Sequence, residues 1–343
     1  MKIIDLRSDT ITKPTKEMRN AMYQAEVGDD VYSEDPTVNK LQDIAAERIG
    51  KEAALFIPSG TMGNLLPLML LCGRGNEFIA HEKAHILHYE LASCTAVAGA
   101  MPQALPGKKG ILSEEGVRRN IHASSTYYMT NTRMITIENT HNLAGGTCYK
   151  KSDLQGIRNA ADDFGLTVHM DGARLFNAAA ATGMSAADIC SYTDTVTFCL
   201  SKGLGAPVGS VLCGPGEFIS QARRTRKMLG SGMRQAGIIA AAGIYALENN
   251  VERLAEDHEH AKELARALSS TEWAEVDADS VETNIFYFSV KGIPAQEAAK
   301  SLGEAGILCH PLGQNSIRFV TSLEVSQEDI EDACEIIKAI ELL

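Results

Sequence analysis

Lys202 is a residue whose type and position suggest a chemical role. It follows the apolar run 195–200 and lies in a turn that contains Gly203, Gly205 and Gly209. A desolvated amine, or one beside other cations, becomes a nucleophile at neutral pH, and such lysines form Schiff bases with carbonyl compounds. The alternative is a lysine that only reaches from a strand end into solvent. Lys202 alone does not separate the two interpretations.

A carboxylate follows a second apolar stretch. Asp171 comes directly after residues 166–170, in the segment HMDGARLFNA. A partly buried anion at a strand end needs a cationic or N–H partner. Arg174 lies three residues further on and could be that partner in a purely structural ion pair. A functional carboxylate that faces a ligand is the other interpretation.

The segment LFIPSGTMGN, residues 55–64, provides a third strand end, at which Ser59, Gly60 and Thr61 open a helix. Free backbone N–H groups, two hydroxyls and the positive end of the helix dipole suit a phosphate group. Serine and threonine are also the commonest helix caps, so this turn alone is a weak signal. Lysine, carboxylate and phosphate-binding turn together are what pyridoxal 5′-phosphate requires.

These residues need a scaffold that brings strand ends together. Short apolar strand candidates (54–57, 77–80, 134–138, 166–170, 195–200 and 210–213) alternate with helical segments (37–49, 152–164 and 216–228). The alternation predicts an α/β domain with a mostly parallel sheet, in which a ligand lies beyond the carboxyl ends of the strands. We expect residues 1–250 to form an N-terminal arm and the large domain, and residues 251–343 a smaller α+β domain.

Composition excludes several classes of protein. The 343 residues are 45% hydrophobic and carry a formal charge of −12, which argues against general affinity for nucleic acid or an anionic membrane. We find no apolar run long enough for a membrane span and no signal peptide, so a cytoplasmic protein is expected. The eight cysteines are scattered without a CxxC pair, which predicts reduced thiols.

The histidines of HEKAHILH, residues 81–88, lack a carboxylate that would complete a metal signature, and no metal is predicted.

Longer motifs resemble one family. The chain is similar to the low-specificity threonine aldolases, which belong to the aspartate-aminotransferase-like, fold type I enzymes that use pyridoxal phosphate. The resemblance rests on IDLRSDTITKPT (4–15), EVGDDVYSEDPTVNKL (26–41), LFIPSGTMGN (55–64), IENTHNLAGG (137–146), HMDGARLFNA (169–178), SKGLGAPVGS (201–210) and KMLGSGMRQAG (227–237). It covers nearly the whole length and implies a large domain of the seven-stranded type.

The resemblance also implies residue roles. Lys202 would form the Schiff base with the cofactor, Asp171 would bind the pyridine nitrogen, and His85 would stack on the ring. The remaining implied positions are Ser59, Gly60 and Thr61 at the phosphate, Ser8, Arg174 and Arg318 at the substrate carboxylate, and Lys227 and Arg234 at the phosphate of a neighbouring subunit. The family implies a tetramer built from two dimers.

The implied reaction is the cleavage of L-threonine or L-allo-threonine to glycine and acetaldehyde. Relatives place two histidines near the β-hydroxyl; His85 matches the first, whereas Tyr128 stands in place of the second. A phenol is a poor base at neutral pH, so His85, or a water that it holds, is the expected base. Transamination, β-elimination and serine hydroxymethyl transfer remain alternatives on the same fold, and a non-catalytic binding protein remains one from another class.

Overall fold

The computed structural model describes residues 2–123 and 126–342 of the chain. The apolar segments of the sequence form strands, and most strands of the largest sheet are buried on both faces because helices cover both sides. In chain order the strands are β1 (Ile4–Asp5), β2 (Ala53–Ile57), β3 (Glu77–His81), β4 (Met101–Leu105), β5 (Thr132–Glu138), β6 (Thr167–Asp171), β7 (Thr195–Cys199), β8 (Ser210–Gly214), β9 (Ala274–Glu275), β10 (Ile285–Val290), β11 (Ile307–Leu308), β12 (His310–Leu312) and β13 (Ser316–Val320).

Seven of these strands form one sheet in the order β2-β8-β7-β6-β5-β3-β4. The strand β8 runs antiparallel to both of its neighbours, and the other contacts in the sheet are parallel. The predicted mostly parallel α/β fold is therefore confirmed. The register pairs Glu138 at the end of β5 with Asp171 at the end of β6, so two carboxylates reach the same edge of the sheet.

The helices cover this sheet and build the rest of the chain. They are α1 (Lys16–Tyr23), α2 (Pro36–Ile49), α3 (Gly60–Pro67), α4 (His85–His88), α5 (Ser93–Ala96), α6 (Glu114–Asn120), α7 (Lys151–Phe164), α8 (Leu175–Thr182), α9 (Ala186–Cys190), α10 (Gly216–Met228), α11 (Gly237–Asn249), α12 (Leu254–Ser269), α13 (Ala295–Glu304) and α14 (Gln327–Ala339). Short 3₁₀ turns cover Asp9–Ile11, Asp30–Tyr32, Asn142–Ala144 and Ala278–Ser280, and a π-helical turn covers Leu68–Cys72. None of the described helices is long and apolar enough to cross a membrane.

Local chemistry explains why the predicted helices form where they do. Asp35 caps α2 by accepting hydrogen bonds from the N–H groups of Thr37 and Val38, Pro36 occupies the first turn, and Gly50 ends the helix in the left-handed conformation. The predicted helices at 37–49, 152–164 and 216–228 agree with α2, α7 and α10 to within one residue. The sequence did not predict β4, four of whose five residues are exposed or half-buried and which lacks a continuous apolar run.

The chain has separate hydrophobic cores. Three clusters lie around the seven-stranded sheet, and a fourth packs α12, α13 and α14 against the antiparallel sheet β12-β13-β10-β9. The division near residue 251 stays a prediction, since Leu254 at the start of α12 still packs in a cluster of the seven-stranded sheet. The N-terminal arm crosses that division: Ile4 and Leu6 belong to the fourth cluster, and β1 pairs in parallel with β11. The arm thus ties the start of the chain to the C-terminal domain.

Candidate active site

A cavity of about 380 Å³ opens at the carboxyl edge of the seven-stranded sheet. This is where parallel α/β sheets bind their ligands, and the volume suits a small molecule. Its lining includes residues of the sheet and its loops, of the N-terminal arm and of the C-terminal segment that contains His310, Leu312 and Arg318. Nine of the residues that the sequence assigned to the site line it: Ser8, Ser59, Gly60, Thr61, His85, Asp171, Arg174, Lys202 and Arg318.

Lys202 reaches the cavity because β7 ends in a tight turn. The backbone N–H of Gly205 donates to the carbonyl oxygen of Lys202 at 2.8 Å, and Gly205 has a φ of +79° that favours glycine. Thr12 Oγ1 of the N-terminal arm donates to the same carbonyl at 3.0 Å. The backbone of Lys202 is thus fixed from two sides, while its side chain lines the cavity.

Asp171 ends β6 as a buried carboxylate. Asn64 Nδ2 donates to Asp171 Oδ2 at 2.8 Å, and the N–H of Ala173 donates to Oδ1 at 3.1 Å. Burial acts to raise the pKa of Asp171, but the charges of His85 and Lys202 and the Asn64 hydrogen bond outweigh it, so the pKa lies below its ordinary value. This anion faces a cavity that Lys202 also lines, and it can keep a bound ring nitrogen protonated.

Arg174 does not pair with Asp171. Its Nε and Nη2 atoms donate to the two carboxylate oxygens of Asp9, each at 2.6 Å, and both side chains are almost fully buried. The structural Asp171–Arg174 ion pair that the sequence allowed is therefore wrong. The bidentate bond to Asp9 holds the guanidinium rigidly at the cavity wall, where it can face a substrate carboxylate.

The start of α3 forms an anion-binding turn. Ser59 caps the helix by accepting a hydrogen bond from the N–H of Met62 at 3.3 Å, and Ser59, Gly60 and Thr61 all line the cavity. A Cβ atom on Gly60 would lie 3.0 Å from Cys199 Sγ, so a glycine lets the helix start pack against β7. The free N–H groups and the helix dipole of this turn suit a phosphate group.

His85 is held by two carboxylates. Its backbone N–H donates to Glu138 Oε2 at 2.7 Å, and its ring Nδ1 lies 2.8 Å from Glu90 Oε1. Burial acts to lower the pKa of His85, but the Glu90 hydrogen bond and the charges of Asp171 and Glu90 raise it above its ordinary value. The imidazole lines the cavity and can contact either a cofactor ring or a substrate.

The C-terminal part of the chain contributes Arg318, on β13, to the cavity lining. Its Nη1 donates to Asn142 Oδ1 at 3.3 Å, and its Nη2 donates to the carbonyl oxygen of Arg7 at 3.0 Å. Ser8 lies next to Arg7 and also lines the cavity. The three residues proposed for the substrate carboxylate (Ser8, Arg174 and Arg318) therefore come from three distant parts of the chain and line one cavity.

Three residues assigned from the resemblance lie outside the cavity of their own chain. The side chain of Tyr128 is three-quarters exposed, and the structure gives it no place in the cavity wall. Lys227 and Arg234 also lie elsewhere, and Arg234 Nη1 donates to Asp29 Oδ2 at 2.8 Å. Their contact with the phosphate of a neighbouring subunit stays a prediction.

The sequence did not single out Asn64, Glu90, Glu138 and Asn142. Asn64 ends the segment LFIPSGTMGN, and Glu138 and Asn142 lie in IENTHNLAGG, so the motifs contained a signal without showing the contacts. Glu90 lies outside all of the motifs that carry the family resemblance. Within the described residues, one group of side chains has the spacing of a metal site. Its potential ligand atoms belong to His85, Glu90 and Asp171 and lie within 4.8 Å of one another. His85 and Glu90 are hydrogen-bonded to each other, and the side-chain amide of Asn64 donates to both carboxylates.

The chemistry of this wall fits pyridoxal phosphate. An amine, a buried anion, an aromatic ring and an anion-binding helix start meet in one cavity.

Comparisons with known proteins identify the family. A profile of the β-eliminating lyases matches residues 5–291. The low specificity L-threonine aldolase of Escherichia coli (strain K12) is 43% identical over 96% of this chain and 97% of its own length. The probable low-specificity L-threonine aldolase 2 of Arabidopsis thaliana is 42% identical over 96% and 95%. The fold matches the threonine aldolase of Leishmania major with a TM-score of 0.83, 21% identity and coverage of 97% and 98%. The chain belongs to the β-eliminating lyase family and, within it, to the low-specificity L-threonine aldolases.

Proposed function

We propose that the protein cleaves L-threonine, L-allo-threonine or both to glycine and acetaldehyde with pyridoxal 5′-phosphate as cofactor. The observation that carries this proposal is the cavity in which Lys202, Asp171 and the start of α3 meet two arginines suited to an amino-acid carboxylate. Relatives that are 42–43% identical over nearly the whole chain are named for this reaction.

Five residues would hold the cofactor. Ser59, Gly60 and Thr61 would bind its phosphate, Asp171 would face its ring nitrogen, and Lys202 would bond its aldehyde. When bound, the cofactor supplies a carbonyl carbon that an amine can bond and a ring that accepts the electron pair of a bond broken at the α-carbon. His85 would pack against that ring, because its imidazole lines the same wall of the cavity.

The remaining residues would orient the substrate. Arg174 and Arg318 would bind the α-carboxylate, and Ser8 would add a hydroxyl between them. A carboxylate held by two guanidinium groups would fix the orientation of the amino acid in the cavity. His85 would then accept the β-hydroxyl proton, since its imidazole lies in the cavity and Tyr128 does not.

Product analysis tests this proposal against other reactions on the fold. The purified protein with added pyridoxal phosphate is incubated with L-threonine, L-allo-threonine and L-serine, and glycine, aldehyde, ammonia and keto acids are measured. Glycine and acetaldehyde in equal amounts support the proposal. Ammonia with a keto acid, or a keto acid formed only with an added acceptor, would replace it by β-elimination or transamination.

The proposal extends to the assembly of the protein and to its location in the cell. We propose a homotetramer built from two dimers, with Lys227 and Arg234 reaching a neighbouring subunit, and a cytoplasmic location. The support is the family resemblance and the acidic composition with scattered cysteines. Sedimentation equilibrium of the parent and of Arg234→Ala tests the assembly, and fractionation of the source cells tests the location.

A further inference from the structure

Glu90 is a buried carboxylate that the proposed function leaves without a role. Its side chain is fully buried, two residues after the end of α4, and it contacts Asn64 and His85, which line the active-site cavity. Burying an ionised carboxylate costs several kcal/mol unless its oxygens are well bonded. One oxygen of Glu90, Oε2, has no hydrogen-bond partner among the described residues. A buried carboxylate with one unpartnered oxygen calls for an explanation, and the contacts of its other oxygen, Oε1, provide one.

That other oxygen, Oε1, lies at the centre of a chain of hydrogen bonds. Asn64 Nδ2 donates to it at 2.8 Å, and His85 Nδ1 lies 2.8 Å away on the other side. Asn64 Nδ2 also donates to Asp171, and Asn64 Oδ1 lies 3.1 Å from His169 Nε2. Asn64 therefore presents only its N–H donors to the two carboxylates, and Glu90 Oε1 acts as an acceptor.

The tautomer of His85 follows from this arrangement. An ionised carboxylate has no hydrogen to donate, so Nδ1 of His85 carries the proton that lies between the imidazole and Glu90 Oε1. In the neutral imidazole the second nitrogen, Nε2, is then an acceptor. This Nε2 makes no hydrogen bond to the described side chains, and the imidazole lines the cavity. An acceptor nitrogen in the cavity is what removal of a hydroxyl proton requires.

We propose that Glu90 is a positioning residue that binds the Nδ1 proton of His85 and so turns Nε2 into the base for the substrate's β-hydroxyl. The proton leaves the hydroxyl oxygen and bonds to Nε2, and the imidazolium that forms has its Nδ1 proton against the Glu90 carboxylate. The oxygen keeps the O–H electron pair and becomes the carbonyl oxygen of the aldehyde, while the electron pair of the broken Cα–Cβ bond is the one that the cofactor accepts. This inference rests on the proposed aldol cleavage.

The charged groups around His85 define what a test must separate. Glu90 and Asp171 face it with negative charge, and Lys202 faces it with positive charge. Glu138, whose pKa is raised to about 7, accepts a hydrogen bond from the backbone N–H of His85, and the ring of Tyr89 lies 5.3 Å from the imidazole. The variant Glu90→Gln removes one negative charge and keeps the size of the side chain. Glu82→Gln is the matched control, because Glu82 is an exposed carboxylate in the same loop.

Two measurements on the full chain test the role of Glu90. In the first, the chain is freed of cofactor, and the rate at which diethyl pyrocarbonate modifies His85 is followed by peptide mapping from pH 5 to 9. We expect Glu90→Gln to lower the pH at which His85 becomes reactive by about one unit, because the neighbouring anion no longer stabilises the imidazolium. We expect no shift in Glu82→Gln. An unchanged profile in Glu90→Gln overturns the inference, whether or not the protein is an aldolase.

The second measurement is the pH dependence of kcat/KM with L-threonine. We expect Glu90→Gln to lower kcat by about tenfold or more, to leave KM within about twofold, and to move the acidic limb to lower pH. In a His85→Asn background, Glu90→Gln should cause almost no further loss, because Glu90 acts through His85. An equal loss in both backgrounds would show a merely structural role. Glu90→Asp keeps the carboxylate, and it serves as the folded reference if the glutamine variant is unstable.

Discussion

Replacement of Asp9 by asparagine removes the negative charge from the most buried ion pair of the site. Asp9 is fully buried, and both of its oxygens accept hydrogen bonds from Arg174 at 2.6 Å. Asparagine has nearly the same shape, but only one of its two terminal atoms can accept a hydrogen bond. The variant therefore leaves the Arg174 guanidinium buried, with one donor opposed by an amide N–H₂ group.

The size of the effect follows from the burial of the pair. Removal of one partner of a buried ion pair costs about 3–5 kcal/mol, because the other charge is left uncompensated. For a large domain, a loss of 1 kcal/mol lowers the melting temperature by about 2 °C, so we expect Asp9→Asn to melt roughly 6–10 °C below the parent. We also expect KM for the amino acid to rise, because the guanidinium that would bind its carboxylate loses its fixed orientation.

The pH dependence has a definite sign. Burial acts to raise the pKa of Asp9, but the charge and hydrogen bonds of Arg174 outweigh it, and the pKa lies below its ordinary value. The contribution of a carboxylate with a lowered pKa is present above the unfolded pKa of about 4 and is lost as the pH falls through the folded value. The difference in melting temperature between parent and Asp9→Asn should therefore be full at pH 7 and shrink only in acid below about pH 4.

Thermal unfolding followed by circular dichroism at pH 7 and at lower pH measures this difference. Asp5→Asn is the control, since Asp5 forms a more exposed ion pair with Arg7 on the same arm, and exposed pairs contribute at most about 1 kcal/mol. A melting temperature of Asp9→Asn within about 1 °C of the parent would refute the reasoning. A further variant with Asp9→Leu and Arg174→Met should recover much of the stability while losing activity.

Three further outcomes are expected. Lys202→Ala should lower the rate of threonine cleavage by about a thousandfold or more and abolish borohydride-fixed cofactor on that peptide; cleavage near the parent rate would contradict its role. Gly60→Ala should weaken pyridoxal phosphate binding by about tenfold in equilibrium dialysis, because the added Cβ would lie 3.0 Å from Cys199 Sγ at the phosphate turn. Burial, together with the charge of Asp171, raises the pKa of Glu138 to about 7. The stability that protonated Glu138 provides is therefore lost as the pH rises from the pKa of this group in the unfolded chain to about 7. Glu138→Gln should flatten the dependence of the melting temperature on pH in that window. An unchanged dependence in the variant would show that Glu138 does not titrate there.

Local sequence determined most of the large domain. Apolar runs between helical segments gave the strands β2, β3, β5, β6, β7 and β8 within two residues at each end, because a strand buried on both faces must be continuously apolar. The same pattern placed Lys202, Asp171 and the turn 59–61 at one edge of the sheet. This was possible because the carboxyl ends of parallel strands share an edge, and the chemistry of those three segments named the cofactor.

The partners of the site residues were decided only by the tertiary structure. Arg174 could have paired with Asp171, three residues away, but it pairs with Asp9, 165 residues away. The N-terminal arm lies against the site, where Thr12 also donates to the carbonyl oxygen of Lys202. In the same way Asn64 joins Glu90 to Asp171 from the first turns of α3. Periodicity and motifs report which side of an element is buried. They do not report which distant side chain fills the space opposite it, since that depends on how separately formed elements pack together.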